Sequence, residues 1–118
     1  NMSIAGHVRN GSKENFKGSQ FISTTKSFDV ALDNARYDIN NDRKPQDLRI
    51  VRIDLNKVTN KYYDLTDPEI QEKYLVTKAG KPFQMVRNYA NSSQEVLVEK
   101  FIPKEAFELI GRPSEFMN

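Results

Sequence analysis

Residues 20–39 read Gln20-Phe21-Ile22-Ser23-Thr24-Thr25-Lys26-Ser27-Phe28-Asp29-Val30-Ala31-Leu32-Asp33-Asn34-Ala35-Arg36-Tyr37-Asp38-Ile39, and their character changes at Ser27. Before it, aromatic and β-branched residues follow one another, the composition of a strand. After it, Phe28, Ala31, Leu32, Ala35 and Ile39 recur at helical spacing. Ser27 is a good N-cap, and Asp29 sits in the first turn, where the helix dipole favours an anion. A strand hands over directly to a helix, so the fold must contain both.

Working downstream, Asn40 to Pro45 ends the helix in polar residues and a proline. Leu48 to Leu55 is the clearest strand, with Val51, Ile53 and Leu55 alternating with Arg52 and Asp54. Tyr62 to Leu65 is a second extended piece. Asp67-Pro68-Glu69 starts a helix, because proline follows the cap, and that helix runs to about Leu75. Ala79-Gly80-Lys81-Pro82 breaks the chain before a shorter helix, Phe83 to Tyr89. Asn88 to Gln94 reads as loop, and Glu95 to Phe101 as a strand with Val96 and Val98 on one face and Glu95, Leu97 and Glu99 on the other. Pro103 to Ala106 is a turn of helix, Phe107 to Ile110 a last strand, and Gly111 to Asn118 a loose tail. Upstream, Ile4 to Arg9 reads as a short strand closed by the turn residues Asn10-Gly11-Ser12, and Lys13 to Ser19 as loop. Strands outnumber helices without alternating with them, which predicts an α+β domain with a mixed or antiparallel sheet.

The 118 residues fit one domain, and a chain this size buries roughly two-thirds of its unfolded surface. No cysteine is present, which excludes disulfides, thiolate metal sites and a cysteine nucleophile. The one histidine, His7, has no second histidine or cysteine to join it around zinc, so no metal is expected. Eighteen Lys+Arg against sixteen Asp+Glu leave +2, too little to argue for nucleic acid. Arg36, Arg43, Lys44, Arg49 and Arg52 are scattered, each near an acid, with no aromatic residues interleaved. No apolar run approaches the roughly 20 residues that span a bilayer. The opening Asn1-Met2-Ser3-Ile4-Ala5-Gly6 lacks a signal peptide's basic and apolar regions, and the whole is read as a domain cut from a larger protein.

Three ordered stretches resemble the catalytic frame of the ADP-ribosyltransferase superfamily: Gly6-His7-Val8, Phe21-Ile22-Ser23-Thr24-Thr25, and Ser93-Gln94-Glu95-Val96-Leu97-Val98. In that superfamily a first strand carries Arg or His, a second a Ser-Thr-Ser-like run, and a late one a glutamate. The chain is most similar to the C-terminal toxin domains of bacterial Rhs-type polymorphic toxins and related fungal domains, over roughly residues 5 to 110. The resemblance implies two sheets, mixed or antiparallel, around an NAD cleft with short helices. It also implies NAD as substrate, a macromolecular acceptor (protein or RNA), and a cognate immunity protein. It further implies a monomer, delivered within a larger secreted effector and acting in the target-cell cytoplasm.

The residue types suit that chemistry. Losing nicotinamide from NAD leaves a ribosyl cation, like the oxocarbenium species that carboxylates stabilise in glycoside hydrolysis. The resemblance gives this catalytic role to Glu95, whereas Glu99 is read as an ordinary solvated strand residue. It places His7 against the NAD ribose and pyrophosphate, and the Val8 main chain against the nicotinamide amide. Arg9 is the alternative to His7, since side chains two apart on a strand share a face and its guanidinium suits phosphate. Ser23 supports the glutamate, with Thr24 beside it in the NAD-binding run. Phe21 and Phe28 are aromatic enough to stack on nicotinamide, although spacing makes Phe28 a core residue first. Arginine-modifying members carry glutamate two residues before the catalytic one; here Ser93 stands there, and a hydroxyl cannot serve as that base. Tyr89, Ser93 and Gln94 fall where the family recognises its target. A plain NAD glycohydrolase and a non-catalytic binding module on the same fold are the alternative readings.

Overall fold

A computed structural model describes residues 3–10, 20–41 and 48–117. Among these the fold is α+β, with two small antiparallel sheets and short helices. The chain divides into two compact units. The first comprises Asn1–Lys26 and Asn60–Phe101, and the second Ser27–Thr59 and Ile102–Asn118.

In the first unit, Ser3 opens helix α1, Ile4–Asn10, by accepting the Gly6 N–H on its hydroxyl at 2.9 Å. This corrects the strand expected over Ile4 to Arg9. A seven-residue helix has little stability alone. Packing supplies it: Ile4, Ala5 and Val8 share one face and join Val86, Ala90, Leu65, Leu75 and Leu97 in a buried cluster. The turn and loop read over Gly11 to Ser19 lie outside the described residues.

Strand β1, Phe21–Thr25, then pairs antiparallel with a late strand. Asn60 precedes strand β3, Tyr62–Asp64, and Asp67 caps helix α3, Pro68–Tyr74, by accepting the Glu69 N–H at 3.0 Å. The last carbonyls of α3 are taken up by Arg87, whose guanidinium donates to Gln71 O at 3.0 Å and Leu75 O at 2.9 Å. Arg87 belongs to helix α4, Gln84–Ser93, which absorbs most of the loop expected over Asn88 to Gln94. Val86 and Ala90, one turn apart, are its buried stripe.

Strand β4, Glu95–Glu99, is the middle of the sheet order β1-β4-β3. It is covered on both faces, with Val96, Leu97 and Val98 essentially without solvent contact. Its register sets Thr25 opposite Glu95, Ser23 opposite Leu97 and Phe21 opposite Glu99, while Tyr63 flanks Leu97 from β3. Direct partners share a face, so Phe21, Ser23, Glu95, Leu97 and Tyr63 look the same way.

In the second unit, helix α2, Phe28–Asn40, starts as read, with the Ser27 hydroxyl accepting the Val30 N–H at 3.2 Å. Strand β2, Ile50–Ile53, is shorter than the expected Leu48 to Leu55, because Asp54 caps a 3₁₀ turn at Leu55–Lys57. It pairs antiparallel with β5, Phe107–Gly111. The segment expected as a loose tail instead carries a 3₁₀ turn at Pro113–Glu115, and Phe116 meets Phe28 edge-on at 5.1 Å.

Candidate active site

Helix α1 buries the face that carries Val8, and His7 turns inward with it; only 4% of His7 is exposed. Its Nε2 lies 2.7 Å from Ser23 Oγ, and its ring meets Phe21 edge-on at 5.8 Å. Ser23 and Glu95 are diagonal neighbours on the same face of the β1–β4 pair. The Ser23 hydroxyl donates to the Glu95 carboxylate and partly offsets what burial does to it. His7, Ser23 and Glu95, chosen from three separate stretches of sequence, therefore meet.

Burial sets the protonation of the group. Glu95 is 6% exposed, and desolvation pushes its carboxyl above the usual 4.5, the Ser23 hydroxyl pulling the other way. Burial also lowers His7 below its ordinary value, which favours neutral imidazole. Ser23 thus stands between the two, bonded to His7 Nε2 and pulling the Glu95 carboxyl down. Glu95 Oε1 finds no hydrogen-bond donor among the described residues, although it is fully buried. An unpaired buried carboxylate oxygen costs stability and is ready to accept a hydroxyl from a ligand. Ser23 is the exposed member of the three and marks the side from which solvent reaches them.

The remaining residues are placed differently from one another. Arg9 is exposed. On a strand it would share the His7 side, but two residues of helix turn it about 200° away. Val8 lies in the core cluster, and the helical conformation commits its N–H to a carbonyl one turn back instead of leaving it for a ligand. Thr24 faces the other side of the sheet, its hydroxyl donating to Val96 O at 2.7 Å. Thr25 donates to Ser93 O at 2.6 Å and fixes the end of β1 to the α4–β4 junction.

That junction aims the glutamate. Gln94 ends α4 in the left-handed conformation, φ 47° and ψ 52°, and its carbonyl accepts the Lys26 N–H at 3.0 Å. Ser93 spends its hydroxyl on Tyr89 O at 2.8 Å, inside the helix. Tyr89 is half exposed on the outer side of α4. The expected recognition loop is therefore a helix in which Tyr89 and Ser93 lie one turn apart. Nearby, Lys26 pairs with Asp64 at 2.9 Å and bonds Thr66 at 2.6 Å. Burial would raise the Asp64 carboxyl, but Thr66 and Lys26 outweigh it and hold it low.

Among the described residues of the first unit, one surface groove runs along β3 and α3, and another lies beside α3, where Val76, Gly80, Pro82 and Arg87 complete its lining. Neither is lined by His7, Ser23 or Glu95. Among the described residues no group of His, Asp and Glu is placed to hold a metal, and no helix is long and apolar enough to cross a membrane.

Residues 2–107 match the model of a family described as "Domain of unknown function (DUF7587)". No curated protein and no solved structure matches the chain.

Proposed function

We propose that this chain, which belongs to the DUF7587 family, is an ADP-ribosyltransferase domain that cleaves NAD and passes ADP-ribose to a macromolecular acceptor. The observation that carries the reading is the buried, unpaired Oε1 of Glu95, held beside a Ser23 hydroxyl that is itself bonded to His7. In the reaction the nicotinamide–ribose C–N bond breaks, and its electron pair leaves with nicotinamide. The oxocarbenium centre at ribose C1′ is then attacked by an acceptor lone pair, and the acceptor's proton is released. Glu95 accepts the ribose 2′-hydroxyl on Oε1 and sets its negative charge against the developing cation. Ser23 orients the carboxylate. Neutral His7 holds Ser23 and reaches the ligand only through it, a narrower role than direct contact with ribose and pyrophosphate.

The sequence resemblance to Rhs-type toxin domains extends the proposal to a polymorphic-toxin setting. The domain is then carried within a larger secreted effector, acts in a recipient cell's cytoplasm, and is neutralised by an immunity protein. Ser93, in place of the upstream glutamate of arginine-modifying members, argues against arginine as acceptor. The exposure of Ser23 lets water compete with the acceptor, so NAD hydrolysis is the second reading.

Nicotinamide release and transfer of labelled ADP-ribose to target-cell extract test both. Wild type releases nicotinamide, and Glu95→Gln slows release about 100-fold or more. Equal rates in the two proteins refute the role of Glu95. Release at the same speed without acceptor identifies the glycohydrolase, and calorimetry showing no NAD binding leaves a non-catalytic module.

A further inference from the structure

The groove along the outer edge of β3 is built from two short pieces of chain that no motif links. Lys61, Tyr62 and Tyr63 come from one side, and Ile70, Lys73 and Tyr74 from α3 on the other. Its volume is about 330 Å³, at the small end of ligand-sized pockets.

Two of its rings are fixed. Tyr63 meets Tyr74 edge-on at 5.2 Å and Phe21 at 6.2 Å. Tyr62, on the opposite face of the strand, is 45% exposed. Its ring has no aromatic partner among the described residues. The cations are similarly uncommitted: neither Lys61 nor Lys73 forms an ion pair among the described residues. Lys73 instead holds its ammonium 5.2 Å from the Tyr74 ring centroid. Asn60 is anchored by donating its amide to Glu99 O at 2.8 Å and Phe101 O at 3.1 Å, which leaves its side-chain carbonyl as an acceptor. The nearby Glu99 carboxylate is turned toward the Tyr63 hydroxyl, 3.5 Å away.

We propose that this groove binds one nucleotide: the base stacks on Tyr62, and the phosphate lies between Lys61 and Lys73. Each part of the ligand answers a feature of the groove. A flat π-system suits an exposed tyrosine face, a phosphate suits two unpaired ammonium groups, and a base amino group suits the Asn60 carbonyl. The volume is sufficient for one nucleotide. Tyr62 pairs with Val98, three residues along β4 from Glu95, or about 10 Å at strand rise. The site is therefore separate from the glutamate and does not depend on the activity proposed for it.

Titration calorimetry with adenosine monophosphate, adenosine and a short single-stranded RNA tests the inference on wild type, Tyr62→Ala, a Lys61→Ala/Lys73→Ala double variant and Glu95→Gln. The nucleotide is expected to bind wild type and to bind Tyr62→Ala at least about 5-fold more weakly. Adenosine is expected to bind wild type less tightly than the nucleotide, and the lysine variant to lose that preference together with its salt dependence. Glu95→Gln is expected to bind as wild type does. RNA binding tighter than the mononucleotide identifies a strand as the source, and equal or weaker binding a free nucleotide. Absence of binding by both nucleotide and RNA overturns the inference, as does binding that survives Tyr62→Ala unchanged. Loss of binding in Glu95→Gln overturns it as well, because the nucleotide then occupies the glutamate's site. The substituted residues are on the surface, and far-UV circular dichroism verifies that each variant is folded.

Discussion

Replacing Glu95 by glutamine should make the protein more stable while slowing the nicotinamide release proposed for it, and the pH dependence of that gain is specific. The wild-type side chain is 6% exposed, and its Oε1 has no donor among the described residues. An amide of the same shape also leaves a buried polar atom unbonded, but it brings no charge into the interior. An unsatisfied buried group costs about 1–3 kcal/mol and a charged one more, so removing the charge is worth on the order of 1 kcal/mol or more, which raises Tm by about 4 °C or more in a domain this small. The sign with pH follows from the direction of the shift. Burial raises the folded carboxyl above 4.5, so the folded state holds its proton more tightly than the unfolded chain does. Below the unfolded value both states are protonated and the carboxyl costs nothing. As pH climbs from there through the folded value, the unfolded chain ionises freely and stability drains away; above the folded value the loss is constant. The amide does not titrate. Thermal melts of both proteins from about pH 4 to about pH 8 should give curves that nearly coincide at the acid end and separate as pH rises, and then run parallel. His7, whose depressed value costs stability as pH falls below 6.5, is present in both and cancels in the difference. A gap that widens toward acid, or an amide variant less stable than wild type at neutral pH, refutes the burial argument and with it the unpaired oxygen.

Two further outcomes follow from the same geometry. Ser23→Ala removes the donor that pulls the Glu95 carboxyl down, so the pH at which nicotinamide release is half-lost should move upward, with the plateau rate falling roughly 10-fold or more through misplacement of the carboxylate. An unchanged pH profile refutes the Ser23–Glu95 bond. Gln94→Gly should raise Tm by a few degrees, because the left-handed backbone at φ 47° costs a side-chain-bearing residue about 1–2 kcal/mol while the extra freedom of glycine in the unfolded chain returns only part of it. A lower Tm shows that the glutamine side chain contributes more than its backbone strain costs.

What the sequence disclosed, and what it hid, divides along physical lines. The caps of α2 and α3 were legible because Ser27 and Asp67 act within one turn of themselves. Strands β1 and β4 were legible from their runs of β-branched and aromatic residues. The misreadings are elements whose conformation is settled by packing. Ile4 to Arg9 is too short to be a helix on propensity alone, and Val8 near a turn signal looks like strand. Yet Ser3 followed by Ile4, Ala5 and Val8 is a cap with an apolar stripe at spacings one and four, the pattern of a helix start. In α4 the polar run Asn88 to Ser93 concealed a helix whose only apolar commitments are Val86 and Ala90. The β3 groove escaped reading altogether, because Lys61-Tyr62-Tyr63 and Lys73-Tyr74 become one surface only when β3 and α3 lie side by side.

The helical form of α1 also decides which of its residues joins the candidate site. Read as a strand, the first segment presents His7 and Arg9 to the same side, and either could serve. Read as a helix, it turns them about 200° apart. Only one of them can face inward with Val8, and the inward residue is His7. A guanidinium there would bring a permanent charge into a position that neutral imidazole fills at no such cost, beside a carboxylate whose own charge is already disfavoured. Because His7 bonds Ser23, its contribution passes through the serine, and Ser23 in turn reaches Glu95 only because register sets it opposite Leu97. A one-residue slip of β1 against β4 would turn the hydroxyl to the other face. The sequence motifs supply the three groups, but the pairing of two strands brings Ser23 to Glu95, and the packing of α1 brings His7 to Ser23.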